Sequence, residues 1–122
     1  MKNRREVKIV ERTIEILSTP KKWTKGARAR DKFNNHTGYY SSQAVCWCID
    51  GAIEKAVRDA NLTKRKGINS YWKIVRAICK VANLKFDIHS QDEHMMLNDA
   101  EETNYQTIIN TLKKAKAFLK GE

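Results

Sequence analysis

The stretch YQTIINTLKKAKAFLK, Tyr105–Lys120, sets Tyr105, Ile108, Ile109, Leu112, Ala115 and Leu119 three or four residues apart, with lysines filling the opposite side. That period belongs to a helix with one face in a core. Glu101 and Glu102 precede it and Lys113, Lys114, Lys116 and Lys120 crowd its end, an order that complements the helix dipole. Asp99 reads as its N-cap, with Glu102 three residues on completing a capping-box-like arrangement.

The same spacing recurs upstream. From Arg5 to Ser18 it places Val7, Val10, Ile14 and Leu17 on one face, and Thr19-Pro20 ends the segment because a residue before proline leaves the helical region. From Val45 it gives Cys48 or Ile49, Ala52, Ile53, Ala56, Val57 and Ala60, a narrow face of mostly small residues suited to close packing. Asn61 and a basic turn, Lys64-Arg65-Lys66-Gly67, then break the chain. A third helix, capped by Asn69 or Ser70, carries Trp72, Val75, Ile78, Cys79 and Ala82 inward. Leu84, Phe86 and Ile88 alternate with Lys85 and Asp87, the pattern of a short strand or an extended link.

Pro20–Ser42 has no such period. Gly26, Asn34-Asn35, Gly38 and Ser41-Ser42 are turn residues, and Ala27–Asp31 can pair with Thr37–Tyr40 as a short hairpin. The expected fold is therefore mainly α: a single compact domain over residues 1–122, of about four helices, with a small irregular or β-hairpin insertion.

A chain of 122 residues leaves no room for a two-domain enzyme. No apolar run approaches the ~20 residues of a membrane span, and Met1–Glu15 is too charged for a secretory signal. Three cysteines, an odd number, suit free thiols in a reducing, cytoplasmic compartment. The formal charge is +10 and is unevenly spread. Met1–Leu84 holds 19 basic and 7 acidic residues, densest in bases at Lys21–Lys32 and Lys64–Lys66, whereas Phe86–Tyr105 holds six acids and no base. A phosphate-binding face with Trp23, Phe33, Tyr39 and Tyr40 nearby to stack on a base is one reading. A solvated surface, cancelled by the acidic segment folding back, is the other.

Enzyme signatures are missing. Cys46-x-Cys48 with His36, His89 and His94 lacks the paired spacing of structural zinc, and two cysteines that close on a helix point about 200° apart, so no metal is expected. His89 and His94 read as ordinary loop histidines. Cys48 reads as a buried thiol on a small-residue face rather than a nucleophile. Five scattered glycines form neither a P-loop nor a dinucleotide fingerprint, and no cofactor is expected.

Three blocks are more specific. They are Trp23-Thr24-Lys25-Gly26-Ala27-Arg28-Ala29-Arg30-Asp31, then Val45-Cys46-Trp47-Cys48-Ile49-Asp50-Gly51-Ala52-Ile53, then Leu97-Asn98-Asp99-Ala100 before an amphipathic helix. In this order the chain resembles domain-of-unknown-function family 6197, small proteins of actinobacteria and phages. Its members look like W-x-x-G-A-x-A-R-D, C-x-x-G-A-[IL] and W-N-D, with the family cysteine falling on Cys48. Leu97 stands in place of the tryptophan, and Lys32–Ala44 is longer than the family's turn. The resemblance spans nearly the whole chain and implies a bacterial or phage setting.

Within those blocks, Gly51-Ala52 reads as the close approach of another backbone ahead of a ligand contact, and Trp23 as a core or interface aromatic ahead of a stacking platform. In an extended Ala27–Asp31, alternation puts Arg28 and Arg30 on one face, where two guanidiniums suit bidentate recognition of a phosphate or carboxylate. The competing account is a structural ion pair with the acidic Phe86–Tyr105 segment. The expected ligand-binding residues are Arg28, Arg30, Trp23, Lys25, Asp31 and Asn98. The leading function is a small non-enzymatic binding protein, phage-encoded, whose basic face binds nucleic acid or a phosphorylated small molecule. The alternative is an inhibitor or adaptor docking on an acidic partner protein, in host takeover or anti-defence. A cysteine- or metal-dependent enzyme ranks last. The partner is anionic in either leading case, and no membrane is involved.

Overall fold

The computed structural model describes residues 2–84 and 92–121, and these hold five helices and one two-stranded antiparallel sheet. The helices are α1 (Arg4–Ile16), α2 (Ile49–Asp59), α3 (Lys64–Val81), α4 (Glu93–Asp99) and α5 (Tyr105–Gly121). The strands are β1 (Ala29–Arg30) and β2 (Cys46–Trp47), and a 3-10 turn covers Pro20–Lys22. The domain is mainly α, as the periodicity predicts.

The core forms where the apolar stripes meet. α1 packs on α2, α3 and α5, and α3 runs along α5, while α4 rests on α2 and α3. Val10, Leu17, Ile49, Ile53, Ile74, Ile78, Ile108 and Leu112 are all fully enclosed. Each such side chain contributes about 1.5–3 kcal/mol relative to exposure. Tyr105 fastens the start of α5 to the end of α1, its hydroxyl donating to the Leu17 carbonyl at 2.5 Å.

Several boundaries differ from the sequence expectation. The basic residues Lys64–Lys66 are the first turn of α3, not a break before it, because Thr63 caps the helix and accepts from Lys66 N. The break is Asn61, which takes a left-handed backbone (φ 53°) just after α2. Asn83 (φ 58°) plays the same part after α3. Asp99 does not cap the last helix but closes α4, and Asn104 caps α5, its side-chain oxygen accepting from Thr107 N at 2.9 Å. β1 pairs with β2, not with Thr37–Tyr40, in the register Ala29 to Trp47 and Arg30 to Cys46. Residues 37–40 instead give Thr37 N to the Ala29 carbonyl and the Tyr39 carbonyl to Trp47 Nε1. Cys46 therefore lies in a strand and Cys48 is the N-cap of α2, its sulfur accepting from Gly51 N. The alternation at 84–88 falls mostly outside the described residues, as does His89.

Candidate functional site

The sequence-predicted cluster is drawn together, but by bonds among its own members. Asn98 is fully buried and sits at its centre. Its side-chain oxygen accepts from Trp23 Nε1 at 2.7 Å and from Ile49 N at 2.9 Å, and its amide donates to the Thr24 carbonyl at 3.0 Å. Asp99 next to it accepts from Gly26 N at 3.0 Å, and Lys25 Nζ donates to the Ala100 carbonyl at 2.6 Å. One asparagine thus ties together all three sequence blocks. Asp31 turns back on its own loop and accepts from Phe33 N and Asn35 N.

Arg28 and Arg30 do not form a shared clamp. β1 covers only Ala29–Arg30, so Arg28 lies outside it, and the two guanidiniums bond to different partners. Arg30 is bound by its own loop, donating to Thr24 Oγ1 and to the Lys25 and Asn34 carbonyls at 3.0–3.1 Å. Arg28 reaches α2, with Nε 3.4 Å from Asp50 Oδ2 and Nη1 3.3 Å from Glu54 Oε2. Neither pairs with a described acid of the 86–105 segment, the other expectation.

The carboxylates that Arg28 meets belong to a network the sequence reading missed. Asp50 has no exposed side-chain surface, and its Oδ1 accepts from the Tyr71 hydroxyl at 2.5 Å and lies 2.8 Å from His94 Nε2. His94 is not a loop histidine: it lies in α4 and is completely enclosed. Asp50 Oδ2, Glu54 Oε2 and His94 Nδ1 are buried atoms without a hydrogen-bond partner among the described residues. Burial works against charge on Asp50, but hydrogen bonds from His94, Glu54 and Tyr71 outweigh it and hold its carboxyl well below the usual range. Burial and the neighbouring Asp50 push Glu54 up to about 7. A proton on Glu54 lets it donate to Asp50 instead of repelling it. Burial, with Asp50 adding to it, drives the Tyr71 hydroxyl far above its ordinary value. The signal available in the sequence was Asp50 and Glu54, one helical turn apart and flanked by Ile49, Ala52 and Ile53.

Glu54 and Tyr71 also form part of the wall of an open cleft of about 840 Å³ between α2, α3 and the loop at 39–40. Tyr39, Tyr40 and Trp72 supply further aromatic surface, and Arg58 and Lys64 stand at it as cations. The guanidinium of Arg58 lies over the Tyr40 ring, 4.4 Å from its centroid.

The second feature is the exposed side of α3. Its 18 residues include six lysines and arginines and no acid. Lys66, Asn69, Lys73, Arg76 and Lys80 follow steps of three and four along one exposed stripe, ~21 Å long at the helical rise of 1.5 Å per residue. Lys73, Arg76 and Lys80 join Lys2 around a groove of about 910 Å³ that has no acid among the described residues of its wall. None of these four cations forms an ion pair among the described residues. Acids neutralise bases elsewhere: Asp59 meets Arg12 and Lys55, and Glu11 meets Lys116.

The family of unknown function DUF6197 has a model that matches residues 1–118. The chain belongs to that family. No curated protein and no solved structure matches it. In this DUF6197 member the blocks that carry the resemblance are those joined by Asn98, so they account for the architecture first. Among the described residues, the cations of the α3 stripe and the buried atoms Asp50 Oδ2, Glu54 Oε2 and His94 Nδ1 lie outside that tie.

Proposed function

We propose that the protein is a non-enzymatic nucleic-acid-binding domain that holds a phosphate backbone along the exposed stripe of α3. The observation that carries this reading is the charge of that stripe: Lys66, Lys73, Arg76 and Lys80 stand on one exposed helix face, unpaired among the described residues and without an acid in the helix. The net charge of +10 alone would say little, but its concentration on one rigid element gives it geometry. A straight helix ~21 Å along its basic face lies against several consecutive phosphates, and Lys2 extends the same positive groove. Arg28 and Arg30 then serve the scaffold, one by neutralising Asp50 and Glu54 and the other by holding its loop. The proposed setting is the bacterial cytoplasm, for a phage-encoded chain.

The test is the salt dependence of binding to mixed-sequence DNA or RNA. Neutralising about four phosphates gives a slope of log affinity against log salt of about −4, with micromolar binding at low salt. A flat response, or no binding at about 50 mM salt, removes the nucleic-acid reading and leaves a protein partner for the same face.

A further inference from the structure

We propose that the cleft between α2 and α3 is a nucleobase site, in which Glu54 and Tyr71 accept hydrogen bonds from the amino-bearing edge of a guanine-type base. The proposal rests on the nucleic-acid reading above and names a second, separate point of contact for the same ligand class. Three observations on the cleft lead to it.

The first is its wall. Tyr39, Tyr40, Tyr71 and Trp72 bring four aromatic side chains to a space of about 840 Å³, within the range of small-ligand pockets. Bases stack on such rings whatever their sequence. The second is polarity. The Tyr71 hydroxyl spends its proton on Asp50, which leaves its oxygen as an acceptor. Glu54 Oε2 is enclosed beside Arg28, so the 24% of the side chain that is exposed belongs to its other atoms. Ionised, Glu54 is an acceptor too. Two acceptors favour a ligand edge with adjacent donors, and guanine presents N1–H beside its 2-amino group. Uracil presents one N–H between two carbonyls, which such a wall repels. The third is position. Arg58 and Lys64 stand at the cleft, so a nucleotide whose base enters it meets cations for its phosphate.

Glu54 is faced by Arg28 from the segment before β1, by Asp50 on its own helix, by Tyr71 of α3, and by His94 of α4 through Asp50. Arg58 and Lys64 share the cleft with it. Burial and Asp50 hold the Glu54 carboxyl at about 7, so guanine preference should grow as pH rises through that value.

The experiment is calorimetric titration of the full chain with GMP and with UMP, at pH 6 and pH 8. The ratio of the two affinities cancels the shared phosphate and ribose. GMP should bind at least tenfold tighter than UMP at pH 8, and the ratio should shrink at pH 6. Glu54→Gln should lose the preference, and Tyr40→Ala, at an exposed ring, should weaken both ligands. Thermal melts confirm that each variant is folded. A guanine-containing oligonucleotide, titrated alongside, shows whether the base is taken from a strand or from a free nucleotide. Equal affinity for GMP and UMP, no binding of either, or a preference that survives Glu54→Gln would overturn the base site. Polymer binding that is lost on changing Lys73, Arg76 and Lys80 would stand even then, so the two proposals fail separately.

Discussion

Gly51 in the first turn of α2 lies directly under the carbonyl of Arg28: a Cβ built on Gly51 would come within 2.1 Å of that oxygen. The contact is backbone to backbone, so no side chain can swing aside to relieve it. It also fixes where Arg28 leaves the chain, and so how its guanidinium meets Asp50 and Glu54.

Gly51→Ala should therefore destabilise the fold, although alanine favours a helix over glycine by roughly 1 kcal/mol. Overpacking of this kind costs about 1–3 kcal/mol, and a rigid carbonyl puts it at the upper end. Gly67→Ala is the control, since its Cβ would meet only the Val57 methyl at 3.3 Å. Urea denaturation of both variants should show the large loss at position 51 and a small change at 67.

Asn98→Ala removes the acceptor for Trp23 Nε1 and Ile49 N and the donor to Thr24. Each buried group left unpaired costs about 1–3 kcal/mol, so the substitution should be among the most damaging in the chain. Arg30→Ala leaves partly exposed carbonyls that water can reach and should cost less. Chemical denaturation orders the two, and a fully stable Asn98→Ala would contradict the joining role given to it.

Much of this was legible beforehand, and the reasons for the rest are physical. The stripes of α1, α2 and α5 are long and regular, so periodicity finds them. The N-terminal turn of α3 was hidden because Lys64, Arg65 and Lys66 carry no apolar residue to mark a face, and only Thr63 signals the cap. The pairing of β1 with β2 spans a loop of 15 residues, Asp31–Val45, that local turn chemistry cannot bridge. The tie between Trp23 and Asn98 lies 75 residues apart in sequence. His94 looked like a loop residue because its enclosure depends on Asp50 and Tyr71, from two other helices.

Glu54 supplies a pH signature. Its carboxyl binds a proton more tightly folded, at about 7, than unfolded, at the ordinary 4.5. Between those values the folded state carries the extra proton, so stability falls as pH rises through that window. Asp50 acts oppositely: its lowered value gives stability above its ordinary 3.8 that is lost as pH falls below it. Glu54→Gln cannot titrate and should flatten the decline in melting temperature between about pH 4.5 and 7, while keeping the loss at lower pH. Melts across that range would show an unaltered slope if Glu54 were an ordinary surface acid.

Cys48 should resist modification. It is buried, and burial is the largest influence raising its thiol to about 11. Cys46, on β2, is partly accessible. At pH 7 a thiol reagent should label Cys46 in the folded protein and reach Cys48 only on denaturation. Rapid native labelling mapped to Cys48 would reopen the nucleophile reading.

The most direct measurement compares nucleic-acid binding by the native chain and by a variant with Lys73, Arg76 and Lys80 changed to alanine, across a salt series. These side chains are exposed and unpaired among the described residues, so the fold should persist with stability changes within ~0.5 kcal/mol per site. Removing three phosphate contacts should reduce the salt slope by about 3 and weaken binding steeply at low salt. A folded variant with the affinity and slope of the native chain would contradict α3 as the phosphate-binding face.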